Sequence, residues 1–175
     1  TEIADSSGNG LAATTFAAAG NSPLYLAYAG LPYVYLPASN YVTAPNAAAV
    51  QFSGDLELVA HVALDDWTPA SNSSIFAKYL TTAATRDWSL SIFSAGGLGH
   101  WWGNGTTTNF TASSVSAALT DGVAYWVKST HDVDNGAGQH AIDFYSAASQ
   151  ATEPGSFSAV GTQVLVTSAA RTAST

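Results

Sequence analysis

Apolar and polar residues alternate along most of the chain after residue 40, with a period of two. This period is typical of β-strands that bury one face. The longest run is Leu56–Leu64, where Leu, Ala or Val occupies every second position from Leu56 onward. Turn-forming pairs such as Asn135-Gly136 separate the runs, because tight hairpin turns need positive φ at both central residues. The pattern predicts an all-β protein, an antiparallel β-sandwich of jelly-roll type.

The predicted strands of this region are short and regularly spaced, and no long helical period interrupts them. They are Val50–Phe52, Leu56–Leu64, Ser74–Leu80, Trp88–Ser94, Leu98–Gly103, Thr106–Thr111, Val123–Asp132, His140–Ser146 and Ala159–Thr167. Within Trp88–Ser94 the tryptophan shares a face with Leu90 and Ile92, whereas Ser89, Ser91 and Phe93 share the opposite face.

The first 22 residues have a different composition, rich in Ala, Gly, Ser and Asn with few large apolar side chains. Such a segment buries too little apolar surface to fold alone, which predicts a flexible or extended arm over residues 1–22. A short Ala-rich helix over Leu11–Ala19 is the alternative, although a helix of that length is marginal in water. We expect residues 23–175 to form the sandwich domain.

A tyrosine-rich segment over residues 23–37 begins the predicted sandwich domain. It predicts short strands at Leu24–Tyr28 and residues 33–36, with Gly30–Pro32 as a break between them. One interpretation is a packed sheet edge, and the other is a docking strip for another subunit, since exposed aromatic clusters mark interfaces. The residues of the docking hypothesis are Tyr25, Tyr28, Tyr33 and Tyr35.

The net charge of the chain limits the classes of binding partner that can be expected. Four Lys and Arg against twelve Asp and Glu give a net charge of −8, and only 9% of residues are charged. Nucleic acid and anionic membrane surfaces are therefore not expected as partners, because phosphate contacts need clustered basic residues. The sequence has no Cys, which excludes disulfides and thiol chemistry. It has no Met either, so we expect Thr1 to follow a processing site or to lie within a longer protein.

The carboxylates around the longest strand do not predict a hydrolase. Asp55 and Glu57 are two residues apart, but a retaining glycosidase pair continued along this strand would need an acid at position 59, which is Val. Asp65 and Asp66 are adjacent, so on an extended strand they point to opposite faces. We interpret them as the end of the strand, with Trp67 packed over its edge, and we expect no enzymatic activity.

The segment HDVDNGAG resembles the start of a calcium-binding loop, with Asp132, Asp134 and Asn135 in ligand positions. The last loop position is Asp143, which lies inside a predicted strand and is not the usual Glu. A hairpin that turns at Asn135-Gly136 is the favoured interpretation, so no cofactor is expected and Ca²⁺ is the alternative. The four histidines, at positions 61, 100, 131 and 140, show neither His-x-His nor the spacing of a helical zinc site.

The strongest candidate for ligand binding is the run of His100, Trp101 and Trp102 before a Gly-Asn-Gly turn. Adjacent tryptophans on a strand point to opposite faces, so one is predicted in the core and the other beside the turn. An exposed indole with Asn104 and Asn109 nearby could stack on a sugar ring while the amides bind hydroxyls. The alternative is that both tryptophans are packed. The remaining tryptophans, Trp67, Trp88 and Trp126, are predicted in the core.

The order of several segments carries a family resemblance. They are VALDDWTP, SSIFAKY, RDWSLSIFSAGGL, WWGNG, TDGVAYWVKSTHDVDNGAG and HAIDFYS. This order resembles the concanavalin A-like, laminin-G-like jelly roll of tailed-bacteriophage virion structural proteins, such as minor tail, head decoration and fibre-like proteins. The resemblance extends over residues 41–146, and the Tyr-rich segment lies outside its pattern.

The resemblance implies a sandwich of two curved sheets and a non-enzymatic role on a virion surface. It implies other virion proteins and copies of the same chain as partners, and a host-surface glycan as a further binding partner. Such domains continue for several strands beyond the part that matches His140–Ser146, so the fold is expected to be incomplete at the C-terminus. A carbohydrate-binding module of a secreted protein is the alternative function.

Overall fold

The computed structural model describes residues 2–3, 8, 10–16, 24–28, 31–36, 41–45, 47, 50–78, 87–104 and 107–167. Over these residues the chain forms fourteen β-strands and no α-helix, and every strand pairing is antiparallel. The predicted all-β fold class is therefore confirmed. Among the described residues, no helix is long and apolar enough to cross a membrane.

The chain divides into two compact units, Thr1–Val50 and Gln51–Thr175. The division lies well beyond residue 22, where the sequence analysis placed the end of an arm. Five short strands belong to the first unit: β1 (Glu2–Ile3), β2 (Ala13–Phe16), β3 (Leu24–Tyr28), β4 (Leu31–Tyr35) and β5 (Tyr41–Thr43).

The first unit contains two small sheets. One has the order β1-β2-β5, and the other is the β3-β4 hairpin, in which Leu24 is opposite Tyr35. The helix considered over Leu11–Ala19 is wrong for its described part, because Ala13–Phe16 pairs with strands on both sides. The two threonines and the phenylalanine of β2 favour an extended backbone, and the neighbouring strands satisfy its hydrogen bonds.

The described residues of the second unit form nine strands. These are β6 (Leu56–Ala63), β7 (Ser73–Lys78), β8 (Trp88–Ile92), β9 (Leu98–Gly103), β10 (Thr108–Ala112), β11 (Ala124–Asp132), β12 (His140–Ala148), β13 (Ser158–Ala159) and β14 (Val164–Val166). A four-stranded sheet has the order β10-β9-β8-β7. A five-stranded sheet has the order β13-β12-β11-β6, and β14 also pairs with β12.

The two sheets pack face to face around one hydrophobic core, which confirms the β-sandwich. Both sheets contribute fully buried apolar side chains at alternate positions, as expected from the period of two. The core residues of the strands are Leu56, Leu58, Leu90, Ile92, Leu98, Trp102, Val127, Ile142 and Phe144, and Trp67 and Val160 join them from loops.

Two of the predicted strands are wrong, and the boundaries of several others differ by one or two residues. Val50–Phe52 is not a strand, because the Val50 N–H bonds to the Ala47 carbonyl in a tight turn and Phe52 packs as a loop residue against the core. The single strand predicted over Ala159–Thr167 is interrupted at Gly161, whose φ of 82° takes the chain out of extended geometry. It forms the two short strands β13 and β14 instead.

The segment Asp65–Trp67 terminates strand β6, as predicted. Asp65 and Asp66 are exposed, and Asp66 Oδ1 accepts the Thr68 N–H at 2.7 Å. The Trp67 side chain is 1% exposed, and its backbone N–H donates to Asp121 Oδ1 at 2.7 Å. The carboxylates of Asp66 and Asp121 thus accept backbone N–H groups on either side of the Trp67 carbonyl.

The core prediction for the other tryptophans is correct for one and wrong for the other. Trp88 is half-buried and packs against the core between the rings of Phe52 and Phe76. Trp126 lies on the outer face of the five-stranded sheet, where it stacks on His61 at 4.8 Å between ring centroids. Side chains alternate between the two faces along β11, and it is the neighbouring Val127 that points into the sandwich.

We predict that Gly99→Ala destabilises the sandwich by about 1–3 kcal/mol, because an added methyl group would collide with the Phe93 ring that covers Gly99. Chemical denaturation of the variant measures this loss. Gly54→Ala is the matched control, since its added methyl group meets nothing within 4 Å. Equal stabilities for the two variants would contradict the packing argument.

Candidate functional site

The alternation of strand β9 separates the residues that the sequence analysis grouped into one ligand site. His100 and Trp102 point into the sandwich and are 0% and 1% exposed. Asn109 is opposite Trp102 in register, so it shares the inward face. Asn104 Oδ1 accepts the Thr107 N–H at 2.7 Å and thereby closes its own turn. Only Trp101 of the five residues belongs to the outer face, so the predicted group does not converge.

Trp101 belongs to an aromatic cluster on the outer face of the four-stranded sheet. Its ring lies 4.7 Å from the Phe110 ring and 6.2 Å from the Phe93 ring, centroid to centroid. The planes of Phe93 and Trp101 are parallel within 2°. Phe110 is 57% exposed, whereas Trp101 is half-buried. The three rings, Phe93, Trp101 and Phe110, form an apolar surface that is open to solvent on one side, and we call it the aromatic cluster.

A groove of small polar side chains lies beside the aromatic cluster, and we call it the serine groove. Its lining residues are Asn72, Ser73, Ser74, Ser89, Ser91 and Trp101. The hydroxyls of Ser74, Ser89 and Ser91 form a chain, with Oγ–Oγ distances of 3.2 Å and 2.9 Å. Ser89 and Ser91 are each 1% exposed, so their hydroxyls form the floor of the groove.

The chemistry of this surface suits an uncharged polar ligand. Among the described residues that form them, neither the serine groove nor the aromatic cluster contains an Asp, Glu, Lys, Arg or His side chain. Each hydroxyl can both donate and accept a hydrogen bond, and an aromatic ring offers a flat apolar surface next to them. A sugar ring presents the same combination, with hydroxyls at its rim and C–H groups on its faces.

The serines of the groove were not among the predicted site residues, although Ser89, Ser91 and Phe93 were predicted to share one face. The alternation along this strand already placed small polar residues on the same face as an aromatic residue, which is a signal of a polar surface beside an aromatic ring. The sequence of one strand does not reveal that β8 pairs with both β7 and β9. That pairing brings Ser74 and Trp101 to the same surface, opposite Ser91 and Ser89 respectively.

No protein-family model, curated protein or solved structure matches the chain. The function of the serine groove and of the aromatic cluster must therefore be inferred from their chemistry. The other polar clusters of the second unit are described below in the same way.

Three of the four histidines converge inside the sandwich, which the sequence analysis did not predict. His100 Nε2 lies 3.2 Å from His131 Nδ1, and His131 Nε2 lies 2.8 Å from His140 Nδ1. The other end of the chain is Ser129, whose Oγ is 2.9 Å from His100 Nδ1. The rings are at most 2% exposed and pack around Trp102. We call Ser129, His100, His131 and His140 the histidine chain.

The hydrogen bonds of the histidine chain determine one another. A neutral imidazole has one N–H and one acceptor nitrogen, so each ring must accept from one neighbour and donate to the other. If His131 donates through Nδ1, then His100 must donate to Ser129, and His140 must donate to His131. If His131 donates through Nε2, all three bonds reverse. The chain therefore has two alternative sets of tautomers when its rings are neutral.

The geometry of the histidine chain is not that of a metal centre. His131 uses both ring nitrogens for its two neighbours, so the three imidazoles form a line and their nitrogens do not converge on one point. Over the described part of the chain, no group of three or more His, Asp or Glu side chains is arranged to hold a metal ion. The histidine chain is a buried polar connection between β9 of one sheet and β11 and β12 of the other.

The segment that resembled a calcium loop forms the hairpin between β11 and β12. Asp132 Oδ1 accepts the Asp134 N–H at 2.9 Å, and Asp134 Oδ1 accepts the Gly136 N–H at 3.0 Å. Asn135 Oδ1 accepts the N–H groups of Ala137 and Gln139, at 2.9 Å and 3.3 Å. These oxygens serve the backbone of their own loop. Asp143 accepts a hydrogen bond from Gln163 at 2.8 Å.

The outer face of the five-stranded sheet carries charged and aromatic side chains that contact one another. Lys128 Nζ is 3.1 Å from Glu57 Oε2 and 4.5 Å from the centroid of the Phe157 ring. His61 Nε2 is 2.8 Å from Ser149 Oγ, and its ring stacks on Trp126. Glu57 thus holds a lysine, and Asp55 Oδ1 accepts the Val133 N–H at 3.0 Å. This face is a less suitable ligand surface than the serine groove.

The tyrosines of the docking hypothesis lie in the β3-β4 hairpin of the first unit. Tyr33 and Tyr35 are 42% and 39% exposed, and Leu26 is 40% exposed. Tyr25 and Tyr28 lie in β3, where they are opposite Val34 and Leu31 in register. The hairpin is a two-stranded sheet, which is marginally stable alone in water.

We predict that His131→Ala lowers the free energy of unfolding by about 2–5 kcal/mol, because it opens a cavity and leaves two buried imidazoles without their shared partner. Thermal or chemical denaturation measures the effect. His61→Ala is the control, since His61 is exposed and its loss should cost about 1 kcal/mol or less. Similar losses for both variants would contradict a structural role for the histidine chain.

Proposed function

We propose that this chain is a non-enzymatic structural protein of a tailed-bacteriophage virion, which displays its β-sandwich at the particle surface and attaches there to a neutral glycan. The sandwich would have the concanavalin A-like jelly-roll topology. The family assignment rests on the order of sequence segments given above. The binding activity rests on one observation, which is Trp101 beside the chain of serine hydroxyls.

The combination of groups supports carbohydrate as the ligand class. A charged ligand would need an ionic partner, and the serine groove has none among its lining residues. A wholly apolar ligand would leave the exposed hydroxyl of Ser74, which ends the serine chain, without a partner to replace water. A neutral sugar would bond to that hydroxyl and cover the indole at the same time.

The carboxylates of the second unit support a non-catalytic role. Glu57 is paired with Lys128, Asp87 is paired with Lys78 at 3.0 Å, and Asp55 accepts a backbone N–H. None of these carboxylates lines the serine groove. A bound sugar would therefore meet no acid at that site to protonate a glycosidic bond.

The β3-β4 hairpin supports assembly with other proteins. Its exposed Leu26, Tyr33 and Tyr35 would lose contact with water on docking, and aromatic residues of this kind are enriched in interfaces. Other virion proteins are the proposed partners. A carbohydrate-binding module of a secreted protein is the second candidate, and it would use the same serine groove without the hairpin interface.

We predict that Trp101→Ala weakens binding to neutral glycans at least about tenfold without unfolding the sandwich, because it removes the stacking surface and not a core side chain. A glycan array followed by calorimetry on the best ligand measures the loss. Trp126→Ala is the matched control, since Trp126 is a half-buried tryptophan on the other sheet. Absence of any glycan bound by the wild-type chain, or equal loss in both variants, would overturn the binding proposal.

We predict that the double variant Tyr33→Ser, Tyr35→Ser reduces incorporation of the chain into virions while glycan binding is retained. Both substitutions remove exposed aromatic surface from the hairpin, and neither residue is among those that line the serine groove. Quantification of the chain in purified particles measures incorporation. Wild-type incorporation of the double variant would rule out the hairpin as the docking strip.

A further inference from the structure

Strand β6 is an edge strand that lacks most of the features that prevent edge-to-edge pairing, and Glu57 is its one charged residue. It forms one end of the five-stranded sheet and extends over eight residues, Leu56–Ala63. Its sequence, LELVAHVA, contains no Lys, Pro or Gly, and its register with β11 runs without a bulge. Natural sheets usually protect a long edge with such features, because the unpaired backbone groups otherwise bind another strand.

The other edges of the sandwich are protected. Strand β7 has a bulge between Ser74 and Phe76 and ends at Lys78. Strand β10 is five residues long and carries three polar side chains, TNFTA. Strands β13 and β14 have two and three residues. Strand β6 therefore differs from every other edge of the two sheets as described.

The backbone groups on the free side of β6 have no described partner. All of its ladder pairing is with β11, from Leu56 opposite His131 to Ala63 opposite Ala124. The backbone hydrogen bonds between described residues outside the strand ladders include none from Leu56–Ala63. Within the described part of the chain, this side of β6 is open to one more antiparallel strand.

The side chains of β6 match a second copy of β6 in a two-fold arrangement. Residues opposite each other in a sheet must share a face, which allows an antiparallel pair centred on Val59. In that register Glu57 is opposite the second copy's His61, and the same contact occurs twice by symmetry. On the inner face Leu56 is opposite the second copy's Val62, so the apolar surface continues across the interface. No two like charges are opposed within the eight residues.

We propose that two copies of the chain associate through β6 to form one continuous antiparallel sheet centred on Val59. The occupant of the edge is a second copy because β6 complements itself: Glu57, a hydrogen-bond acceptor, is opposite an imidazole, and the hydrophobic pattern continues across the axis. This inference does not depend on the glycan or the virion, since the serine groove lies on the other sheet of the sandwich. Glycan binding and dimerisation therefore fail or succeed separately.

The first test is Val59→Glu in the full chain, with sedimentation velocity as the measurement. Val59 is opposite Lys128 within the same sheet, so a carboxylate is tolerated in the monomer. At the two-fold axis the variant places two carboxylates against each other, and dimerisation should weaken about tenfold or more. Ala77→Glu on the exposed face of the bulged β7 edge is the matched control and should leave the dimer unchanged.

The second test uses the absence of cysteine from the sequence. Val59→Cys places two thiols opposite each other at the axis, at a Cα separation of roughly 4.5–5.5 Å that a disulfide can bridge. Oxidised glutathione should then yield a covalent dimer, whereas the control variant Ala77→Cys should not form one.

Three results would overturn the proposal. One is a wild-type chain that stays monomeric at its highest soluble concentration, which is the result expected if another segment of the same chain covers β6. Another is a dimer that survives Val59→Glu. The third is a covalent dimer that forms equally well with Ala77→Cys and with Val59→Cys.

Discussion

The hydrogen-bonded chain Ser129–His100–His131–His140 constrains how the two sheets of the sandwich face each other. Apolar packing is non-directional, so a core of Leu, Ile and Val tolerates small shifts between sheets. The bond between His100 and His131 joins strands of different sheets at 3.2 Å, and it also depends on ring orientation. A shift of β9 by one residue would place Gly99 or Trp101 inside and leave the buried imidazoles without partners, at a cost comparable to the stability of a domain.

The outer surface of the four-stranded sheet follows from this interior constraint. Once His100 and Trp102 point inward, Trp101 must point outward, and Gly99 leaves room on the same outer face for the Phe93 ring. The serines of β8 lie on the same outer face of the sheet as Phe93, and they are therefore next to the indole of Trp101. The candidate ligand surface is thus the opposite face of the residues that hold the sheets together.

The sequence predicted several local features correctly, although it missed the tight turn at Val50 and the interruption at Gly161. Strand β6 and its termination at Asp65–Trp67 follow from a period of two and from turn chemistry within a dozen residues. It could not predict which strands lie side by side, and the serine groove and the histidine chain depend on that pairing. His131 and His140 are nine residues apart in sequence, but His100 comes from the opposite sheet, so their meeting is a tertiary contact that parity alone does not reveal.

The placement of the open β6 edge and the serine groove on different sheets has a consequence for binding strength. A single sugar-binding site that consists of one aromatic side chain and a few hydroxyls binds weakly, because many of its hydrogen bonds only replace bonds to water. A two-fold pair joined at β6 would carry two serine grooves without covering either. Two linked sites raise the effective concentration of the second contact on a repeated surface glycan, and avidity then exceeds the affinity of one groove. The low charge of the chain suits this arrangement, since neither the groove nor the edge strand relies on ionic contacts that salt would screen.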